Sequence, residues 1–290
     1  MNERFIEWLL TEKFFGRRKI IRTPAKVAAA YGIGYGVSEA SKIIIPTGEK
    51  FGDFEDIDKK TKGRLLQFSP ITIAHTGGNS ANHLEMSKLA GVDFVEADIR
   101  LYRGKLSVTH GDNLPPPVID YGIRFLGLGK SVPLVAEIIE HSANNHQRLF
   151  LDLKEESPNS TDHVVKTVNK FGLSERTAYT GKWAALDRIS HKTKKNGSLF
   201  YSIDNEEQLF SFMDEQTARQ AQGVSLNFTL AREDVVKDLR TQGVINVFVY
   251  GADYSYEIIS ALEADADAII TGNLGALELW KKPSRDYFFA

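Results

Sequence analysis

Two short stretches of this sequence place charged side chains two residues apart within apolar runs. Glu96 and Asp98 lie in FVEADIRLY, and Asp152 and Lys154 lie in RLFLDLKEE. Residues two apart in a β-strand point to the same face, so each pair shares one face of its strand. Carboxylates buried side by side are strongly unfavourable unless a positive group meets them. The two pairs therefore predict a cation at this place.

Two histidines accompany these pairs at the ends of predicted strands. His75 ends the run ITIAH, and His110 follows the second run in LSVTHGD. Oxygen ligands select a hard cation, Mg²⁺ or Ca²⁺, and Mg²⁺ commonly completes its shell with water and phosphate oxygens. A phosphate ester is therefore the expected substrate, with Lys154 as a second positive group against the phosphate. One histidine would act as base on the attacking oxygen and the other as acid for the leaving alcohol.

A purely structural interpretation of the same residues stays open at this point. A carboxylate pair can be a surface feature of a sheet edge, Lys154 can neutralise Asp152 in a structural ion pair, and His75 can be an ordinary buried histidine. This interpretation must explain two charged pairs and two histidines on the first three predicted strands. Their joint occurrence favours a functional site.

The elements that position these residues alternate from about residue 71 onward. Runs rich in β-branched and aromatic residues lead into segments of helical period, the pattern of a parallel sheet. Eight such units predict an α/β fold, a (β/α)8 TIM barrel over residues 71–290, with its reactive groups at the C-terminal ends of the strands. An open sheet is disfavoured because AHTGGNS lacks the G-x-G-x-x-G fingerprint. The predicted strands are 71–78, 93–101, 148–156, 176–182, 199–205, 223–231, 245–253 and 268–273.

Residues 1–70 lie outside this repeat and predict an N-terminal helical extension with a helix at 2–15. The segment lacks a signal-peptide cleavage site, and its least polar window, 27–46, contains Glu39 and Lys42, which disfavours a membrane span. We expect a cytoplasmic protein, with a peripheral membrane contact through the aromatic and basic N-terminal residues as an alternative. The Pro-rich loop 111–130 is predicted to lie at the barrel mouth.

Composition excludes several classes of protein. The chain has 290 residues, a formal net charge of −2 and no cysteine. Near-neutral charge argues against a nucleic-acid partner, which needs a basic surface. The absence of cysteine excludes disulfides, thiolate nucleophiles and Cys-ligated zinc. A small-molecule phosphodiester is the expected partner.

The order and spacing of these motifs resemble those of the glycerophosphodiester phosphodiesterases, within the wider superfamily of phosphatidylinositol phospholipase C-like barrels. The family's H-R-G, E-x-D and E-x-K motifs correspond to HTG at 75–77, EAD at 96–98 and DLK at 152–154. Its histidine after the second strand corresponds to HGD at 110–112, and its I-I-T-D to IITG at 269–272. Thr76 stands where the family has a phosphate-binding arginine, and Asn79-Ser80 is in the place of the P-E-N motif.

The resemblance implies a role for each of these residues and a divalent metal, Mg²⁺ or Ca²⁺. The implied acid and base are His75 and His110, the metal ligands are Glu96, Asp98 and Asp152, and the substrate-binding residues are Lys154, Thr76 and Asn79.

Three functions are open on this basis. The first is metal-dependent hydrolysis of glycerophosphodiesters to an alcohol and glycerol phosphate by two-histidine acid/base catalysis. The second is a phospholipase D-like activity, of lysophospholipase D or sphingomyelinase D type, on a phospholipid or lysophospholipid substrate at a membrane. The third is a catalytically inactive barrel that binds a ligand, suggested by the loss of the arginine at Thr76.

Overall fold

Eight parallel strands close into a barrel in the computed structural model, which describes residues 70–102, 104–109, 133–192, 198–219, 221 and 223–275. The order around the ring is β1-β9-β8-β7-β6-β5-β4-β2, and pairing of β1 with β2 closes it. A ninth strand, β3, pairs antiparallel with the end of β2. The strands are β1 (Ile71–Ala74), β2 (Phe94–Tyr102), β3 (Lys105–Val108), β4 (Leu149–Leu153), β5 (Thr177–Gly181), β6 (Ser198–Ile203), β7 (Gly223–Asn227), β8 (Asn246–Tyr250) and β9 (Ala268–Thr271).

Helices follow the strands of the barrel and pack their apolar faces against it. Helix α3 (Pro158–Lys170), for example, buries Val164 and Val168, and helix α6 (Glu233–Thr241) buries Val236 and Leu239. These residues recur at the three- and four-residue spacing that places side chains on one helix face. The helices are α1 (Ala81–Leu89), α2 (Val135–Asn144), α3 (Pro158–Lys170), α4 (Trp183–Lys192), α5 (Glu206–Arg219), α6 (Glu233–Thr241) and α7 (Ser255–Glu263).

A layer of apolar side chains fills the barrel interior. The rings of Phe150 and Phe200 lie 5.4 Å apart, and those of Phe200 and Phe248 stack at 4.1 Å between centroids. Because side chains alternate along a strand, the residue two positions after each of these is the next interior position toward the C-terminal mouth. The apolar layer is therefore the floor of that mouth. It consists of Ile73, Phe150, Ala178, Phe200, Phe248, Ala268 and Ile270.

The predicted (β/α)8 barrel is confirmed, and each of its eight strands overlaps a predicted run. Neither β3 nor α4 was predicted. The N-terminal extension 1–70, apart from Pro70, lies outside the described residues, as do the loop 111–130 and the C-terminal segment after residue 275. None of the helices in the described ranges combines the length and apolar character needed for a membrane span.

Candidate active site

Three carboxylates converge where β2 and β4 approach the C-terminal mouth. Glu96, Asp98 and Asp152 each offer an oxygen, and these oxygens lie within 4.8 Å of one another. Asp98 and Asp152 are register partners on neighbouring parallel strands, so their side chains lie next to each other. Glu96 is 3% exposed and Asp98 is 1% exposed. The sequence spacing therefore produces one buried acidic cluster from two strands.

The turn after β1 holds the first two carboxylates in place. The Thr76 N–H donates to Glu96 Oε2 at 2.6 Å, and the Asn79 Nδ2 donates to Asp98 Oδ2 at 2.8 Å. The Asp98 N–H in turn donates to Asn79 Oδ1 at 3.0 Å. Thr76 has a φ of 54°, a left-handed conformation that is unfavourable for a β-branched residue. Strain of this kind persists where the surrounding structure imposes it, often at a functional site.

Lys154 brings a positive charge into the cluster from β4. Its Nζ lies 3.1 Å from Asp98 Oδ1 and also donates to Asp152 Oδ2. The lysine side chain keeps 28% of its surface exposed, whereas the Asp98 side chain keeps 1%. Lys154 thus forms ion pairs both with Asp152, as predicted, and with Asp98 on the neighbouring strand.

The site holds more negative charge than one lysine neutralises. Burial raises the pKa of Glu96 well above its ordinary value, and the charges of Asp98 and Asp152 raise it further. Burial also raises the pKa of Asp152, although Lys154 acts in the opposite direction. Burial alone would lower the pKa of Lys154, but the three carboxylates outweigh it and raise that pKa. An added cation would relieve this imbalance.

The cluster fits a hard divalent ion. Among the described residues, no group hydrogen-bonds to Glu96 Oε1 or to Asp152 Oδ1, and both atoms are buried. Buried carboxylate oxygens without a partner are costly, and a coordinated cation would satisfy them. All the atoms that would coordinate the ion are carboxylate oxygens, and oxygen is the ligand type of Mg²⁺ and Ca²⁺. Glu96, Asp98 and Asp152 are the residues that would hold the ion.

The structure describes one of the two predicted catalytic histidines, His75. His75 continues the β1 ladder, since its N–H donates to the Thr271 carbonyl, and it is the next interior position after Ile73. His110 lies outside the described residues. Thr109, the residue before it, donates its N–H to the Asp98 carbonyl at 2.9 Å, so the chain passes beside the acidic cluster at that point.

A second polar group, which the sequence analysis did not identify, lies on the other side of the mouth. The Tyr250 hydroxyl at the end of β8 donates to Asp204, which follows β6. Asp204 was not among the site residues predicted from the sequence. The signal was present, because Phe200, Ser202 and Asp204 alternate along β6 in the same way as Phe150, Asp152 and Lys154 along β4.

Comparison with known proteins gives one family. The profile of the glycerophosphoryl diester phosphodiesterase family matches residues 121–276, more than half of the chain. The matched range begins after Glu96 and Asp98, so the acidic pair on β2 is additional to it. No curated protein sequence gives a match.

Solved structures of this family share the fold. A glycerophosphodiester phosphodiesterase from Parabacteroides distasonis has a TM-score of 0.58 at 18% identity, over 76% of this chain and 98% of its own. One from Agrobacterium tumefaciens has a TM-score of 0.55 at 16% identity, over 72% and 99%. A phosphodiesterase from Oleispira antarctica, in complex with the product sn-glycerol-3-phosphate, has a TM-score of 0.56 at 16% identity, over 78% and 99%.

Fold and site together define a (β/α)8-barrel protein with an acidic site at the C-terminal ends of its strands. The chain belongs to the glycerophosphoryl diester phosphodiesterase family, and it is a phosphoric diester hydrolase of that type.

Proposed function

We propose that this protein hydrolyses glycerophosphodiesters to an alcohol and glycerol phosphate with the help of a divalent cation. The observation that carries the proposal is the convergence of Glu96, Asp98 and Asp152, two of whose buried oxygens have no hydrogen-bond partner among the described residues. The substrate class is supported by the family and by the Oleispira antarctica phosphodiesterase, which was solved with sn-glycerol-3-phosphate.

Each residue has a role in this proposal. An ion bound by the three carboxylates would supply positive charge against the phosphate oxygens, and Lys154 would add a second. His75 and His110 divide the proton transfers between them. One takes the proton from the attacking oxygen as that oxygen bonds to phosphorus. The attacking group is either water or a hydroxyl of the substrate, and in the second case a cyclic phosphate forms first and water then opens it to glycerol phosphate. The other histidine gives a proton to the alcohol oxygen as the phosphorus–oxygen bond to it breaks.

The test is hydrolysis of a glycerophosphodiester such as glycerophosphocholine, with release of the alcohol as the measured quantity. We expect turnover in Mg²⁺ or Ca²⁺ and none in EDTA. His75→Ala and His110→Ala should each lower kcat at least about 100-fold, the lower end of the contribution of general acid–base catalysis. His163→Ala, on the exposed surface of α3, is the matched control and should keep wild-type kcat.

Two results would contradict the proposal. Full turnover by His75→Ala or His110→Ala, with an unchanged circular dichroism spectrum, would refute the acid/base assignment. Undiminished turnover after removal of all divalent ions would refute the role of the carboxylates.

A further inference from the structure

The side of the mouth opposite the acidic cluster carries polar side chains at one level. In the ring of eight strands, β6, β7 and β8 lie across the barrel from β1, β2 and β4. Asn227 and Tyr250 are register partners at the ends of β7 and β8, and Ile203 on β6 is partnered with Leu226. The residue after Ile203 is Asp204, which is therefore level with Asn227. We call Asp204, Asn227 and Tyr250 the β6–β8 cluster.

Strand alternation directs this cluster into the mouth. Phe200 and Phe248 belong to the apolar floor, and residues at even spacing from them share their side of the strand. Asp204 is four residues after Phe200, and Tyr250 is two residues after Phe248.

Local contacts hold Asp204 at the mouth. Its backbone N–H donates to Gln208 Oε1 at 2.7 Å, and its carboxylate accepts from Gln208 Nε2 at 3.4 Å. Asn205 caps α5 by accepting the Gln208 N–H at 2.9 Å. The Tyr250 hydroxyl donates to Asp204 Oδ1. Asn227 Oδ1 accepts from both the N–H and the hydroxyl of Thr229, so the orientation of that amide is fixed as well.

A buried hydroxyl between the two sides is also left unsatisfied. Thr180 on β5 is 4% exposed, and its Oγ1 has no hydrogen-bond partner among the described residues. It is two residues after Ala178, which belongs to the apolar floor, and it is the register partner of Asp152. An unsatisfied hydroxyl that faces the mouth indicates that a polar ligand or water completes the site.

The chemistry of the β6–β8 cluster suits a neutral polyol. Asp204 is acceptor-only and repels a second phosphate. The Asn227 amide and the Ser202 hydroxyl both hydrogen-bond to the Tyr250 hydroxyl, so the Asp204 carboxylate is the part of the cluster that offers acceptors to a ligand. An acyl chain would strip water from a carboxylate and an amide without replacing their hydrogen bonds. Adjacent hydroxyls supply the donors that this carboxylate can accept from.

We propose that Asp204, supported by Tyr250 and Asn227, binds the hydroxyl groups of the glycerol part of the diester while the phosphate lies at the acidic cluster. This inference rests on the proposed function, because it needs a phosphate at Glu96, Asp98 and Asp152. It assigns to this chain a specificity residue, Asp204, on the side of the mouth that does not carry the acidic cluster.

The test compares two diesters that differ only in the hydroxyl groups. Glycerol 4-nitrophenyl phosphate and propyl 4-nitrophenyl phosphate share one leaving group, so the ratio of their kcat/KM values reports on the diol. The calorimetric comparison below separates recognition of the diol from its use as a nucleophile. In Mg²⁺, the wild type should prefer the glycerol diester at least about tenfold, since a hydrogen bond to a charged group is worth about that factor or more. Asp204→Asn should reduce the ratio to near one, and Tyr250→Phe should reduce it partly. Asp238→Asn, an exposed control on α6, should leave it unchanged.

Other outcomes overturn the inference. An unchanged ratio in Asp204→Asn would show that the carboxylate does not bind the diol. A preference of the wild type for the 2-aminoethyl diester, lost in Asp204→Asn, would assign Asp204 to a cationic group instead.

A binding measurement separates this inference from the proposed function. Calorimetry with sn-glycerol 3-phosphate and propyl phosphate requires no turnover, so it applies even if neither diester is cleaved. Tighter binding of sn-glycerol 3-phosphate by the wild type, lost in Asp204→Asn, would support the β6–β8 cluster although hydrolysis failed. Equal binding of both ligands by the wild type would overturn the inference while leaving hydrolysis a separate question.

Discussion

At the scale of single residues, Lys154 neutralises part of the negative charge of the buried carboxylates, and a bound divalent cation would neutralise more of it. Its ammonium lies 3.1 Å from Asp98 Oδ1 and also contacts Asp152 Oδ2, while Glu96 Oε1 is left without a hydrogen-bond partner among the described residues. The protein therefore keeps a partly neutralised acidic site in the absence of an ion. This arrangement predicts opposite effects on stability for removal of the lysine and removal of a carboxylate.

Lys154→Met should destabilise the protein when no divalent ion is present. The substitution keeps the side-chain stem but leaves buried carboxylates uncompensated, so we expect the free energy of unfolding in EDTA to fall by about 3 kcal/mol. Added Ca²⁺ should recover part of that loss, because the ion replaces the missing charge. Urea denaturation with and without Ca²⁺ measures both effects. Lys182→Met, at an exposed lysine just after β5, is the control, and an equal loss there would contradict the argument.

Glu96→Gln should have the opposite effect in EDTA. The amide oxygen can still accept from the Thr76 N–H, and the variant removes a buried charge whose pKa is raised by burial and by two neighbouring carboxylates. We expect the free energy of unfolding at neutral pH to rise by about 1 kcal/mol or more, at the expense of metal affinity. Thermal unfolding in EDTA and calorimetric titration with Mg²⁺ measure the two changes. Glu85→Gln, on the exposed face of α1, should change neither.

At the scale of elements, the end of β5 leaves space for the free oxygen of Asp152. Gly181 has a φ of 110°, and a Cβ at this position would lie 2.5 Å from Asp152 Oδ1 and closer still to the Leu153 carbonyl oxygen. A side chain here would have to displace a strand backbone or the carboxylate. The last residue of β5 is thus part of the geometry of the acidic cluster, although it carries no side chain.

Gly181→Ala should therefore weaken both stability and metal binding. We expect the free energy of unfolding to fall by about 2–3 kcal/mol, from the strained backbone and the close contacts together. Gly172→Ala is the matched control, because Gly172 also has a positive φ, 67°, but nothing lies within 4 Å of the position that a Cβ would take there. That variant should lose only about 1 kcal/mol and keep its metal affinity. Equal metal affinity in the two variants would show that Gly181 does not shape the site.

The character of each element decides which parts of the fold and the site could be predicted from the sequence. Buried parallel strands are continuous runs of β-branched and aromatic residues, so the eight barrel strands were recognisable. The charged pair on β2 was visible because Glu96 and Asp98 interrupt such a run. The hairpin strand β3 has only the short pattern Lys105–Val108, and its partner is the extension of β2 beyond the barrel. Asp204 was missed because its importance depends on Tyr250, 46 residues away.

At the scale of the whole molecule, the acidic cluster joins elements that are distant in sequence. Asp98 accepts from Asn79 in the turn after β1, and its carbonyl accepts from Thr109 after β3. Lys154 joins β4 to β2 through its ion pair and through its N–H, which donates to the Ile99 carbonyl. An ion at the three carboxylates would therefore bind a network that spans β1, β2 and β4. Because unfolding separates these strands, binding of the ion should stabilise the whole barrel.

This coupling predicts a stabilisation by metal that depends on pH. The folded-state pKa values of Glu96 and Asp152 are raised, so ionisation of these buried carboxyl groups lowers the free energy of unfolding. This loss is absent below the unfolded pKa, and it grows as the pH rises from there through the raised folded-state pKa. Metal binding needs the deprotonated carboxylates, so its contribution also grows with pH. At 100 times the dissociation constant, the ion should add about 2.7 kcal/mol near neutral pH, or roughly 5–10 °C in Tm, and little at pH 4. Calorimetric scans in Ca²⁺ and in EDTA at several pH values measure this difference. A metal-induced shift of equal size at pH 4 and pH 7.5 would mean that the ion binds elsewhere, because only protonation of these buried carboxylates abolishes the proposed site.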